Sequence, residues 1–195
     1  MASRSLKLDS QEALPERATF ANADEQFLRF YLEPDTAALL PVTQLLEILK
    51  LPVGQIVPLP HMPSWVMGVC NWRGEILWTI DLAELVGLTP CDRQQTSDIS
   101  TYTAVVLQVN QQVNLSNNPS ASTAESQTIG LVIEQIDDIE WCNPDTIQPP
   151  PFAAVSPPFA TFVRGYQLNG DSEMTAILSV KAIAAAVSCQ LSVIS

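Results

Sequence analysis

The stretch MPSWVMGVCNWRGEILWTIDLAELVGL (62–88) decides the fold. Pro63 suits the first turn of a short helix over PSWVMG, which Gly68 would end. Asn71-Trp72-Arg73-Gly74 reads as a turn, and ILWTIDL (76–82) as a strong strand. Asp81, with Glu84 three residues on, has the spacing of a helix cap that opens LAELVGL. Gly87 and Pro90 close that helix after about two turns. A connection this short does not make a βαβ crossover, so the pattern points to a β-rich barrel with small helical plugs and not to a doubly wound sheet.

The flanks read the same way. FLRFYL (27–32) and AALLPV (37–42) form a hairpin around Glu33-Pro34-Asp35, and TQLLEILK (43–50) fits a short helix. Ile56-Val57-Pro58 is extended. TAVVLQV (103–109) and TIGLVIEQI (128–136) are strands joined by the polar segment 110–128, expected as a mobile loop. Asp137-Asp138-Ile139-Glu140 makes an acidic exposed edge. Asn143 caps a single turn begun by Pro144. The proline-rich 147–160 is expected to wrap the surface in an extended form. FVRGYQL and SEMTAILSV flank Asn169-Gly170, the strongest two-residue hairpin signal, and KAIAAAV (181–187) is a closing helix. About eight or nine strands and three to five short helices follow. Residues 1–25 read as a flexible polar tail, 26–188 as the folded domain and 189–195 as a C-terminal tail.

Composition narrows the function. The chain has 195 residues, 47% hydrophobic and 15% charged, with a formal net charge of −12. From Gly74 to Val163 there are eleven carboxylates and one base, Arg93. Such a surface repels phosphate, which argues against nucleic acid and against anionic lipid. No apolar run is long enough to span a bilayer, and the polar N-terminus lacks the apolar core of a secretory signal. A cytoplasmic location is expected. Cys70, Cys91, Cys142 and Cys189 stand apart, with no C-x-x-C pair, and read as reduced thiols. His61 is the single histidine, so no zinc site and no Ser-His-Asp or Cys-His arrangement is expected. No phosphate-binding glycine loop or nucleophile elbow occurs. The expectation is a protein without cofactor or metal that is not an enzyme, although spatial pairs of carboxylates stay open.

The opening stretch resembles the core signature of the CheW-like family, in which a proline-bounded loop leads to a glycine, an Asn-x-Arg-Gly turn and an apolar strand ending in Asp-Leu. Gly68, Val69, Asn71, Arg73, Gly74, Ile76, Ile80, Asp81 and Leu82 carry the match. LLEIL (45–49), VPLP (57–60), 128–151 and 162–183 extend it in order, over residues 26–188. The resemblance implies two small five-stranded SH3-like β-barrels around a shared hydrophobic core. It also implies a non-enzymatic adaptor coupling methyl-accepting chemoreceptors to a CheA-type histidine kinase. One surface would grip the cytoplasmic tip of the receptor, and others the kinase regulatory domain, which has the same fold. The adaptor itself is expected to be monomeric or weakly self-associating. Trp72 and Trp78 depart from the family's Leu and Pro, the 110–128 loop is longer and the tail is extra. These departures suggest a branch serving type IV pilus motility or phototaxis.

By the same resemblance the partner-binding residues are Leu45, Glu47, Gly68, Arg73, Gly74 and Ile76. Each has a plainer reading. Arg73 braces its turn against Glu47 or Asp81, Gly68 and Gly74 serve backbone conformation, and Leu45 and Ile76 are core. Glu47 is a solvated helix face, Asp81 a helix cap, and Trp65, Trp72, Trp78 and Trp141 are interior. The alternative functions are a soluble regulator that binds only the kinase, and a small-ligand-binding β-barrel.

Overall fold

Apolar residues at every second position set the strands of both sheets. The computed structural model describes residues 24–94, 100–114, 122–149, 156–168 and 174–191. In β1 (Glu25–Glu33), Leu28, Phe30 and Leu32 are buried while Arg29, Tyr31 and Glu33 are only partly covered, the two-residue period of a strand with one face in a core. The remaining strands are β2 (Thr36–Pro41), β3 (Leu45–Pro52), β4 (Val66–Trp72), β5 (Glu75–Asp81), β6 (Thr101–Asn114), β7 (Ser122–Ile133), β8 (Gln135–Cys142), β9 (Val163–Leu168) and β10 (Met174–Leu178). The helices are short: α1 (Leu82–Leu85), α2 (Cys91–Gln94), α3 (Pro157–Phe162) and α4 (Val180–Leu191). None is long and apolar enough to cross a membrane.

The fold is mainly β, with two five-stranded sheets ordered β8-β1-β2-β10-β9 and β3-β6-β7-β5-β4. Hairpin β1–β2 sits in the sheet whose other strands come from the end of the chain. Hairpin β6–β7 sits in the sheet built from β3, β4 and β5. The sheets share one wiring. In each, a strand of the second hairpin runs parallel to a strand of the inserted one: β10 beside β2, β5 beside β7. In each, the edge strand leads into a 3-10 turn (Val53–Gln55 after β3, Pro144–Thr146 after β8). The chain then crosses to the opposite edge, where Val57 bridges Val69 of β4 and Gln148 bridges Tyr166 of β9. Both bridges carry a reciprocal pair of backbone hydrogen bonds, 2.8 and 3.0 Å in the first and 2.8 Å twice in the second. The sheets therefore curl nearly shut without becoming continuous barrels.

Three apolar clusters follow. A large one lies between the sheets and includes Leu28, Phe30, Leu32, Leu40, Ile80, Leu107, Leu131, Leu178 and Ile183. Each curled sheet also encloses its own: Phe27, Leu39, Cys142 and Ile177 in the first, Leu51, Cys70, Leu77 and Val106 in the second. Each large side chain so buried contributes about 1.5–3 kcal/mol. The expected architecture, two small β units around a shared core, is what forms.

Several local expectations change. Residues 43–50 do not form the expected helix: Thr43 and Gln44 belong to a 3-10 turn (Val42–Gln44), and β3 takes the rest, pairing with β6 from Leu45↔Leu107 to Pro52↔Thr101. Leu45, Leu46, Ile48 and Leu49 satisfy two helical turns and also a strand with apolar residues on both faces, and the ladder to β6 selects the strand, leaving Leu46 and Ile48 exposed. Residues 63–68 lead into β4, and Gly68 lies inside that strand rather than ending a helix. At φ +141°, a Cβ on Gly68 would lie 2.3 Å from the Val57 carbonyl oxygen. The absent side chain is what lets the crossing segment reach β4. The polar segment 110–128 is shorter as a connection than expected, because β6 runs to Asn114 and β7 starts at Ser122; 115–121 lie outside the described residues. Part of the proline-rich stretch is helical: Pro157 and Pro158 open α3, where a missing N–H leaves no hydrogen bond broken. Most of the N-terminal tail, the Asn169-Gly170 turn and 150–155 also fall outside the described residues. The caps stand as expected, Asp81 accepting from the Glu84 amide at 3.1 Å and Asn143 from the Asp145 amide at 2.9 Å. Trp141 is the exception among the tryptophans, 64% exposed on β8, while Trp65, Trp72 and Trp78 are half-buried.

Candidate functional site

β3 and β4 are the two outer strands of their sheet, yet their side chains meet. The Trp72 indole Nε1–H donates to Glu47 Oε2 at 3.0 Å, and Arg73 Nη2 donates to the same oxygen at 2.8 Å. The Arg73 guanidinium carbon lies 4.9 Å from the centroid of the Trp72 ring, a cation–π arrangement. Curling of the sheet brings these residues together, and the ring body packs on the Leu51, Cys70, Leu77 and Val106 cluster beneath.

An irregularity in β3 aims Glu47. Leu45 pairs with Leu107 and Glu47 with Val106, so the register slips by one residue between them. In an unbroken strand Leu45 and Glu47 would share a face. The slip instead turns Leu45 toward the shared core and Glu47 toward the sheet's own cluster, at its rim. The hairpin turn aims Arg73. Arg73 has φ +54° and Gly74 φ +88°, and positive φ at both central residues is what a type I′ two-residue turn requires. Glycine fits the second position freely, and arginine is strained at the first. The Gly74 amide donates to Asn71 Oδ1 at 3.3 Å, closing the turn.

Glu47, Arg73 and Gly74 are thus brought together, and Trp72 joins them as a member that the sequence reading assigned to the interior. Its signal was its place beside Arg73 in the turn, but only the curl of the sheet shows that Glu47 is within reach. Of the two bracing partners considered for Arg73, the structure uses Glu47. Asp81 is buried and committed elsewhere, its carboxylate accepting from the Glu84 amide and, at 2.8 Å, from the Cys91 amide. Burial raises its pKa against the lowering effect of those bonds. Leu45 is half-buried against the shared core. Gly68 is not at the cluster and serves the crossing by Val57. Ile76, expected in the core, lies outside it: it is 72% exposed on the face opposite Leu77. Ile48, Leu46 and Val57 are exposed on the same sheet.

The other chemical groups are quiet. The Cys70, Cys91 and Cys142 thiols are buried and free, Cys189 exposed and free. Burial pushes Cys142 up to about 11, and burial with the nearby Asp81 carboxylate pushes Cys91 higher still, the opposite of what an attacking thiolate needs. On the other sheet the acidic edge is partly neutralised, because Arg29 reaches Asp137 at 3.2 Å and Glu140 at 2.9 Å.

A family model for the CheW-like domain matches residues 26–188. The probable chemotaxis protein CheW of Rhizobium etli is 29% identical over 125 residues, 64% of this chain and 66% of that protein. The chemotaxis protein CheW of Rhizobium meliloti is 28% identical over 94 residues, 48% of each chain. The protein FrzA of Myxococcus xanthus is 39% identical over 70 residues, 35% of this chain and 42% of that one. The chain spans less than two thirds of the length of each of these relatives. The crystal structure of the scaffolding protein TtCheW from Thermoanaerobacter tengcongensis superposes with a TM-score of 0.59 at 20% identity, covering 80% of this chain and 90% of that one.

Proposed function

The chain belongs to the CheW-like domain family, and from that premise we propose that it is a non-enzymatic adaptor coupling methyl-accepting chemoreceptors to a CheA-type histidine kinase. It works by position. One part of the surface holds the cytoplasmic tip of the receptor and another the kinase regulatory domain, so that kinase activity follows the geometry of the assembly. Each contact need not be strong, because an array supplies avidity. The protein acts in the cytoplasm and meets the membrane only through receptors. The departures at Trp72 and Trp78 favour a motility branch, twitching or phototaxis, over a flagellar one.

The observation that carries this reading is the family match over residues 26–188, which takes in both sheets and the Glu47–Trp72–Arg73 cluster. Leu45, Glu47, Arg73, Gly74 and Ile76 provide a fixed ion pair with apolar surface nearby, a combination suited to gripping a helical tip; Gly68 supports it from within β4.

The test is direct binding of the purified chain to a receptor-tip coiled-coil fragment and to the kinase regulatory domain. Arg73→Ala should weaken binding of the receptor fragment about tenfold, a loss near 1.4 kcal/mol. Its unfolding midpoint should stay close to the parent's, because an exposed ion pair contributes only about 0–1 kcal/mol to stability. Failure of both partners to bind at millimolar concentration refutes the adaptor. Binding of the kinase domain alone points to the soluble regulator instead.

A further inference from the structure

We propose that Trp72 is the positioning and specificity-determining residue of this site: its indole N–H and ring face lock the Glu47 carboxylate and the Arg73 guanidinium into one rigid unit that receives a carboxylate from the partner. The proposal rests on the reading that this rim of the sheet meets a partner.

An exposed Arg–Glu pair is ordinarily a loose contact, because two long side chains lose rotamer freedom to make it. Here a third group removes that freedom. Trp72 is wedged by its ring body into the Leu51, Cys70, Leu77 and Val106 cluster, so its indole edge does not swing. That edge donates to Glu47 Oε2 at 3.0 Å, and the same oxygen accepts from Arg73 Nη2 at 2.8 Å. The ring face meanwhile supports the guanidinium at 4.9 Å. Glu47 is held by two donors and Arg73 by an acceptor and a ring. Planarity then fixes where the other N–H donors of Arg73 point.

Those donors face outward: the Arg73 side chain is 68% exposed and the Glu47 side chain 33%. The chain has a formal net charge of −12 and only nine Lys and Arg, and here one of those cations faces outward beside Glu47. A planar fork of N–H donors, half-used and held still, suits a carboxylate, which it can bind through two parallel hydrogen bonds. Preorganisation of this kind raises affinity by removing the ordering cost before the partner arrives. The strained φ of +54° at Arg73 belongs to the same device, since it projects the side chain back over the ring.

Three variants of the full chain separate the roles. Trp72→Phe keeps a ring face and loses the N–H, Trp72→Leu loses both, and Glu47→Gln keeps shape and loses charge. The first readout is the indole N–H resonance of Trp72 in an amide-type NMR correlation, identified by its loss in Trp72→Phe, with Trp65, Trp78 and Trp141 as internal references. Glu47→Gln should shift the Trp72 resonance and leave the other three in place. The second readout is affinity for the receptor-tip fragment carrying glutamates, and for the same fragment with those glutamates changed to glutamine. Trp72→Phe should weaken binding about threefold to tenfold and Trp72→Leu more, with discrimination between the two fragments shrinking in step. An indole resonance unmoved by Glu47→Gln overturns the proposal. So does binding of both Trp72 variants at parental strength while Arg73→Ala loses it, which leaves the site reading standing. Parental binding by Arg73→Ala sinks the site reading itself.

Discussion

Two glycines of β4 and its turn show how different demands hide behind one residue type. Gly74 has φ +88° and open space around a would-be Cβ, whereas Gly68 has φ +141° and the Val57 and Pro58 backbone within 2.3–2.9 Å of one. Gly74→Ala therefore carries only the conformational penalty, about 1 kcal/mol. Gly68→Ala adds a collision with main chain that cannot swing aside, and its expected loss is about 3 kcal/mol or more. Urea denaturation of the two variants checks the contrast; equal losses would mean that Val57 does not cross as described. Both glycines were legible in the sequence as backbone residues, and Arg73 and Glu47 as a candidate pair. Ile76 was not legible, because an isoleucine in an apolar strand reads as core until the neighbouring strand is known. Trp72 shows the same limit from the other side: its ring is interior and its N–H belongs to the rim.

At the scale of elements, patterns of period two and paired turn residues carried most strands to the right place. The failures share a cause. Residues 43–50 and 63–68 are apolar on more than one face, and local periodicity does not separate a short helix from a short strand with apolar residues on both sides. Partners β6 and the Val57 crossing make the choice, and both lie far along the chain or across the sheet. Capping was legible because it is local. Asp81 in fact does more than its spacing suggested: one carboxylate accepts the Glu84 amide of α1 and the Cys91 amide at the start of α2. Asp81→Ala orphans both donors, and at about 1 kcal/mol or more for each the expected loss is about 2–3 kcal/mol. Hydrogen exchange should quicken at the Glu84 and Cys91 amides well before it does in β5. Protection unchanged at Cys91 would show that the carboxylate does not hold α2.

At the scale of the whole molecule, one sheet is a continuous run of chain, β3 to β7, and the other is split around it. β1 and β2 complete the sheet of β8, β9 and β10, and β6 and β7 complete that of β3, β4 and β5, with one apolar core between them. The two sheets should therefore unfold together. Calorimetry should give one transition whose calorimetric and van't Hoff enthalpies agree, as for a single cooperative unit. Two resolved transitions would mean that the shared core does not couple them. The composition hinted at this arrangement, since 47% hydrophobic residues allow more than one core, but the splitting of one sheet around the other has no local signature in sequence.

That split also sets a timetable. Hairpin β1–β2 leaves the ribosome early, yet Ala38 of β2 must pair with Ala176 of β10, about 140 residues later. At about 5–20 residues per second, translation leaves the hairpin without its neighbours for roughly seven to thirty seconds. Phe27, Phe30, Leu32, Leu39 and Leu40, all fully enclosed at the end, wait through that interval uncovered. The nascent chain is therefore an early customer for chaperones, and the fold can be sealed only when its last strands are made.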